Sequence, residues 1–416
     1  MQRLKLIKEV EKANNNLDGV ITRTPLILNK RLSKKYGANI FLKREDLQVV
    51  RSYKLRGAYN KISNLSKEEK KRGVVCASAG NHAQGVAFAC FDLKVKGHIF
   101  MPLNTPKQKV DRVREFGDGW TEIVLVGDTY DDAHKEAMDF CKKKKSIFVH
   151  PFDDLEVIAG QGTIGVEIME KANNDVDVVV VPIGGGGLVA GLGSYVKSKN
   201  KKTKIFGVEP LGAPSMTASL KKGKVVKLDH IEKFVDGAAV KEVGQETFAI
   251  AKKLIDAMHT VPEGKVCTEM ISLYQHDGIV AEPAGTLSVA VLDQIKKDIK
   301  GKNIVCIISG GNNDLSRFPE IVDKSLIYEG LKHYFIVDFP QRPGALKLFL
   351  EKALGKNDDI TLFEYIKKNA RERGPALVGI ELSKKEDLEK LMKRMTRLGF
   401  HFEKLESDSP MFRFLV

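Results

Sequence analysis

"VVVVPIGGGGLVAGLGSYV", residues 178 to 196, carries no charged side chain over 19 residues. A run of that length is long enough to cross a bilayer as a helix. Pro182 and the four glycines that follow argue against a span, because they break the helix that spanning requires. The stretch reads instead as a buried valine strand, a glycine loop and a helix. That reading decides the fold, because the same grammar recurs on both sides of it.

From about residue 40 to 310 short Val/Ile-rich strands alternate with helices. "RGVVCAS" (72–78) is a strand and "AQGVAFACFDL" (83–93) has helical periodicity. "GHIFMP" precedes "PKQKVDRVREFG", a helix with proline at its start and glycine at its end. "TEIVLVG" precedes "TYDDAHKEAMDFCKKKK", and "TKIFGVEP" and "KNIVCIISGG" add further strands. Such alternation predicts an α/β fold with a parallel sheet, whose ligands bind in loops after the strands. The texture changes after about residue 316. "HYFIVDFPQRPGALKLFLEKAL", "ITLFEYIKK", "GPALVGIEL", "KKEDLEKLMKRMTRLG" and "HFEKL" read as βαββαβ, a small ferredoxin-like α+β domain. "LSRFPEIVDKSLIYEG" (315–330) is the connection. The predicted domains are 1–316, a linker over 317–331, and 332–416.

With 416 residues, 43% hydrophobic and 29% charged, the chain has the composition of a globular protein. "MQRLKLIKEVEKANNN" lacks the apolar core of a signal peptide and reads as an amphipathic helix. Cys76, Cys90, Cys141, Cys267 and Cys306 are odd in number and widely spaced, so neither a disulfide framework nor a metal site is predicted. Cys76, Cys90 and Cys306 lie in apolar runs and are expected to be buried. A cytoplasmic compartment fits. The net charge of +14 comes from lysine runs such as "CKKKKS" (141–146) and "KSKNKKTK" (197–204). No aromatic residue interleaves them, so they read as solvated surface and no nucleic-acid partner is expected.

Three strand-end loops stand out. "SAGNHAQG" (78–85) opens a helix, and its small residues leave backbone amides free to face an anion. Asn81 is either a ligand donor there or, with Ser78, a helix cap. "PIGGGGLVAG" (182–191) lets consecutive amides close around a phosphate. It is neither GxGxxG nor a P-loop, and only Glu209 stands near the dinucleotide spacing. In "ISGGNND" (308–314), Ser309 is either a strand-end ligand or part of a turn.

"RSYKLRGAYN" (51–60) supplies the reagent. It reads as a helix start capped by Ser52, with Leu55, Ala58, Tyr59 and Ile62 on one apolar face. A nucleophilic lysine needs a lowered pKa, from burial or from nearby cations. Arg51, Arg56 and the positive helix end are expected to supply that field around Lys54. A lysine, a glycine cradle, an asparagine loop and a strand-end serine together suit pyridoxal 5′-phosphate (PLP).

These segments resemble the biosynthetic threonine dehydratases of the tryptophan-synthase-β-like PLP fold, which has two open α/β lobes. "KREDLQ…SYKLRGAYN", "SAGNHAQGVA", "PFDD…VIAGQGT", "VPIGGGGLVAG", "GVEPLGAPSM", "EPAGT" and "SGGN" occur in the family's order across nearly the whole chain. Val49 and Leu155 stand where prolines are common, and neither change removes a chemical group. The resemblance implies that Lys54 carries the cofactor and exchanges protons with the substrate. It implies Asn81 at the ring oxygen, Gly184, Gly185, Gly186, Gly187 and Leu188 around the phosphate, and Ser309 at the pyridine nitrogen. Ser78, Ala79, Gly80, Asn81 and His82 would hold the substrate carboxylate, mainly through backbone amides.

The implied reaction is α,β-elimination of L-threonine to 2-oxobutanoate and ammonia in isoleucine biosynthesis, with L-serine as a second substrate. Racemase-like relatives carry a serine where this chain has Ala79, so the second base for racemisation is missing. Their divalent-cation site would use Glu209, the Ala213 carbonyl and an acid where Ser215 stands, so no metal is expected. The tail resembles one ACT-like regulatory domain, with "DFPQRPGAL" (338–346) as its ligand loop. Feedback by isoleucine, opposed by valine, and a homotetramer follow from the resemblance. A serine-specific dehydratase and a non-catalytic amino-acid sensor on the same fold are the alternatives; an intact Lys54 argues against the sensor.

Overall fold

A computed structural model describes residues 2–365, 372–406 and 409–415. They fall into two units, Met1–Glu263 with Leu273–Asn313, and Gly264–Ser272 with Asp314–Val416.

In the first unit the opening stretch is the strand Val178–Pro182, a glycine loop and the helix Gly187–Lys199. The strand is buried throughout, which is why it has no polar alternation. It belongs to a six-stranded sheet ordered Leu26–Leu28, Asn39–Arg44, Asn303–Ile308, Val178–Pro182, Lys204–Pro210 and Ala257–Val261. Only the first pair is antiparallel. A second, all-parallel sheet is ordered Thr121–Leu125, Gly97–Met101, Val74–Ala77 and Ile147–Phe148. These are two open α/β lobes, as the family resemblance implies. Each lobe has its own apolar core, one around Val179, Val181 and Val305 and one around Val74, Cys76 and Ile99. Cys76, Cys90 and Cys306 are all fully buried. The N-terminal segment forms the helix Gln2–Asn16, which buries Leu6, Val10 and Ala13.

Parallel pairing fixes where the loops emerge. Asn303–Ile308 lies between Asn39–Arg44 and Val178–Pro182, in register with both. The segments that follow these three neighbours therefore leave from one edge of the sheet. They carry Lys54, Ser309 and the glycine loop.

The second unit has the strands Lys332–Pro340, Asp359–Tyr365, Arg373–Glu381 and His401–Lys404. Their sheet order is second, third, first, fourth, and all pairs are antiparallel. With the helical segments Ala345–Leu348, Phe349–Ala353 and Asp387–Arg397 this is the expected ferredoxin-like pattern. The end of the predicted strand "ITLFEYIKK", residues 366–368, lies outside the described residues. Pro319 starts the helix Phe318–Tyr328, which buries Ile321 and Ser325. A closing helix, Pro410–Leu415, had no counterpart in the sequence reading.

Candidate active site

Lys54 is the first residue of the helix Lys54–Ser63. Leu55, Ala58, Tyr59 and Ile62 are buried, as their spacing predicts. The predicted Ser52 cap is wrong. Tyr53 holds the cap position without a side-chain bond. Ser52 instead makes a β-bridge to Gly310, and its Oγ is buried without a partner among the described residues. Flanking bonds extend that bridge: the Tyr53 amide donates to the Ser309 carbonyl at 3.2 Å, and the Gly311 amide to the Arg51 carbonyl at 2.9 Å. Arg51 adopts φ +56° to make this turn. The segment before the lysine is thus stitched to the loop that carries Ser309.

Lys54 is partly exposed as a residue, but its Nζ lies deep and donates to the Pro151 carbonyl at 2.8 Å. Burial lowers its pKa to about 8, against an opposing pull from the Glu282 carboxylate. The expectation that Arg51 and Arg56 supply the lowering field is corrected: neither is a cause. Arg51 is exposed, and Arg56 is fully buried on the far side of the helix. The Arg56 guanidinium grips both oxygens of Glu45 at 2.8 Å each and one of Glu167 at 2.6 Å. Lys43 pairs with the same Glu167 and donates to the Thr24 carbonyl. Two cations balance two anions, so the cluster anchors the lysine helix to the sheet and to the helix Leu155–Lys171.

The loop after Val74–Ala77 leads into the helix Asn81–Leu93, whose start no side chain caps. The capping reading of Ser78 and Asn81 therefore fails. Ser78 Oγ accepts from the Gly80 amide at 3.2 Å, and Asn81 turns its amide to Glu282 at 2.7 Å and to Asn312 at 2.8 Å. Ala79 and Gly80 are partly exposed. His82 is buried, with Nε2 donating to the Val149 carbonyl at 2.8 Å. A carbonyl only accepts, so the proton sits on Nε2 and Nδ1 is a bare, buried acceptor. Burial first, then Lys54, lowers the His82 pKa to about 3, so the ring is neutral.

In the glycine loop Gly186 has φ +92° and caps the following helix. A side chain on Gly185 would place its Cβ 2.3 Å from the Phe152 ring. Thr247 Oγ1 holds the Gly185 carbonyl at 2.6 Å. Leu188 is buried in the first turn of that helix. The segment Pro151–Asp154 ties this loop to the lysine. Pro151 takes Lys54, Phe152 covers Gly185, and Asp153 caps the helix Gln245–Ala251 through the Gln245 and Thr247 amides at 3.0 Å each. Asp154 caps Leu155–Lys171. Leu155 occupies the first helical position, where proline is tolerated, which explains the family's preference there.

Sequence reasoning gave no role to Glu282, Asn312 or Pro151. Glu282 is buried, and burial pushes its pKa up to about 7. The signal was its place in "EPAGT", an acid just before a helix-starting proline. Glu209 accepts from the amides of Met216 and Thr217 and from the Thr217 hydroxyl. It therefore caps the helix Ser215–Lys222.

The residues fit PLP. The glycine cradle rejects any Cβ at Gly185, the helix start at 81 has no capping side chain, and a buried lysine has a lowered pKa. No helix among the described residues is long and apolar enough to cross a membrane.

Comparison with known proteins agrees. Residues 17–310 match the family described as pyridoxal-phosphate dependent enzyme, and residues 323–415 match the C-terminal regulatory domain of threonine dehydratase. "L-threonine dehydratase biosynthetic IlvA" of Bacillus subtilis is 54% identical, covering 99% of this chain and 97% of the relative. Its Halalkalibacterium halodurans namesake is 52% identical, covering 99% of each chain. The solved structure of processed threonine deaminase isoform 2 from Solanum lycopersicum is 41% identical with TM-score 0.74, covering 78% of this chain and 93% of that one. Maize serine racemase is 28% identical with TM-score 0.72, covering 77% and 98%. On this evidence, from the glycine loop outward, the chain belongs to the pyridoxal-phosphate-dependent enzyme family and carries the regulatory domain of threonine dehydratase.

Proposed function

We propose that the chain deaminates L-threonine to 2-oxobutanoate and ammonia, the committed step of isoleucine biosynthesis, with PLP carried on Lys54. The observation that carries this reading is the Lys54 amine, buried, lowered to about 8 and stitched through Tyr53 to the Ser309 strand end. Lys54 is the residue that would carry the cofactor and give it up to the substrate amine.

PLP, once bound, supplies an electron sink that acidifies the α-hydrogen and lets the β-substituent leave. The glycine loop amides of Gly184 to Leu188 hold the phosphate at the start of their helix. Asn81 would donate to the ring oxygen, and the neutral Ser309 hydroxyl would face the ring nitrogen. Amides of residues 78 to 82 bind the substrate carboxylate. The freed Lys54 amine takes the α-proton, a task suited to a pKa near working pH. The proton it then holds is available to the departing hydroxyl. Ala79 offers no second base, which favours elimination over racemisation.

Residues 1–316 are assigned to catalysis and 332–416 to regulation, joined through 317–331. A single ferredoxin-like unit supports inhibition by isoleucine, opposed by valine. Either effector acts only by binding the enzyme's states unequally. We place the enzyme in the cytoplasm as a homotetramer, and L-serine as a second substrate.

Borohydride reduction of the yellow protein should fix PLP on Lys54, and Lys54→Ala should lose 2-oxobutanoate release. Cofactor trapped on another residue overturns the reading. Threonine saturation curves with isoleucine and valine test the regulatory part; curves that do not move remove it.

A further inference from the structure

Glu282 opens the helix Pro283–Ala290 from the cap position, yet makes no side-chain bond to that helix. Its carboxylate turns away instead. Oε1 accepts from Asn81 Nδ2 at 2.7 Å, and Oε2 accepts from the Asn312 amide at 3.2 Å. The backbone around it is shaped for this route. A Cβ on Gly310 would lie 2.5 Å from Oε1, and the Glu282 amide donates to the Gly310 carbonyl at 3.1 Å. On the other side of Asn81, the Asn312 side-chain amide donates to Asn81 Oδ1 at 2.8 Å, with its other hydrogen on the Val50 carbonyl at 2.8 Å.

The donor pattern leaves one solution. The Val50 carbonyl only accepts, so Asn312 presents Nδ2, and Asn81 must answer with its oxygen. The carboxylate accepts, so it takes one hydrogen of Asn81 Nδ2. The second hydrogen of that Nδ2 is the one left for a ligand. A free asparagine amide has two orientations of similar energy, one offering a donor and the other an acceptor. Here both flanking residues select the same one.

We infer that Glu282, together with Asn312, is a positioning residue that locks Asn81 as a donor toward the cofactor's ring oxygen. The inference rests on the cofactor reading proposed above. Burying a carboxyl in this place is costly: burial, with Asp236 adding to it, holds its pKa at about 7. A group with only a packing role would be met more cheaply by an apolar side chain.

The test compares two substitutions on the full-length protein. Glu282→Gln keeps an oxygen that accepts from Asn81. Glu282→Leu removes the acceptor for Asn81 Nδ2 and for the Asn312 backbone amide, leaving the Asn81 side chain held by Asn312 alone. The glutamine variant should retain PLP within about threefold of the parent and keep its absorbance band. The leucine variant should bind PLP about tenfold more weakly, and its absorbance band should shift. Asn312→Asp, which sets an acceptor against Asn81 Oδ1, should repeat the leucine phenotype and serves if the leucine variant does not fold. Parent-like affinity and spectrum in the leucine and aspartate variants overturn the inference. Equal losses in the glutamine and leucine variants also overturn it, because they indicate packing alone. Borohydride trapping on the parent is run alongside: PLP found away from Lys54 fails the cofactor reading, whereas PLP on Lys54 with insensitive variants fails only the role of Glu282.

Discussion

Lys54 Nζ lies 2.8 Å from the Pro151 carbonyl, a group that can only accept, so the amine is held as a donor while its surroundings press it to lose its charge. Burial lowers its pKa to about 8 from the 10.5 of a free lysine. The neutral amine is the nucleophile. PLP capture by apoprotein should therefore accelerate as pH rises toward about 8 and level off above it. An unperturbed lysine would keep accelerating past about pH 10. Stopped-flow absorbance against pH checks this, and a rate still climbing at the alkaline end contradicts it.

Arg56 should be among the most costly positions to truncate. Its guanidinium satisfies Glu45 and Glu167 with no exposure. Burial pushes the Glu45 carboxyl up, but the Arg56 guanidinium, with Lys43 and the Thr24 hydroxyl, together hold the group below its usual range. Arg56→Met leaves two buried carboxylates sharing Lys43. A loss of about 3–5 kcal/mol is expected, the scale of breaking a buried pair from one side. Urea unfolding monitored on the catalytic unit reads it, and a change below about 1 kcal/mol would show the cluster to be dispensable.

The glycine loop has a steric signature. Gly185→Ala sets a Cβ 2.3 Å from the Phe152 ring, so either the ring or the loop must move. Both border the phosphate cradle. PLP affinity should fall about tenfold or more, read by cofactor titration of the apoprotein. Gly185 has no left-handed φ, so its substitution adds no backbone strain and the loss reads out the contact with the ring.

How much of this the sequence disclosed depends on how local each relationship is. The glycine loop, the "SAGN" loop and Ser309 were legible because strand, turn and helix follow one another within a dozen residues. The regulatory unit was legible for the same reason, its apolar periods switching from strand to helix and back. Partners across the chain were not. Arg56 looked like a free cation because its partners lie 11 and 111 residues away. Glu282 meets Asn81 across 201 residues, and nothing near either residue announces the pairing. Ser52 has the right chemistry for a cap, but the bridge to Gly310 claims its backbone first. The helix Phe318–Tyr328 was missed although Pro319 marked its start.

Glu209 gives a stability prediction with a defined sign. It sits at the start of Ser215–Lys222, accepting from the Met216 amide at 2.6 Å and from the Thr217 amide and hydroxyl at 2.9 and 2.7 Å. Burial raises its pKa to about 7 in spite of these bonds, against 4.5 for a free glutamate. The folded state therefore holds this proton more tightly than the unfolded state does. The stability contributed is fully present below about pH 4.5 and is lost as pH rises through about 7. That span corresponds to on the order of 3 kcal/mol. Glu209→Gln cannot titrate, so its stability has no slope from this site. Other titrating groups, Glu282 included, contribute equally to parent and variant and cancel in the difference. The parent's advantage over the variant should shrink steadily between about pH 5 and about pH 8. Thermal midpoints of both proteins across that range decide it, and an advantage that grows with pH would mean that Glu209 is held as an anion by a bound cation rather than raised by burial.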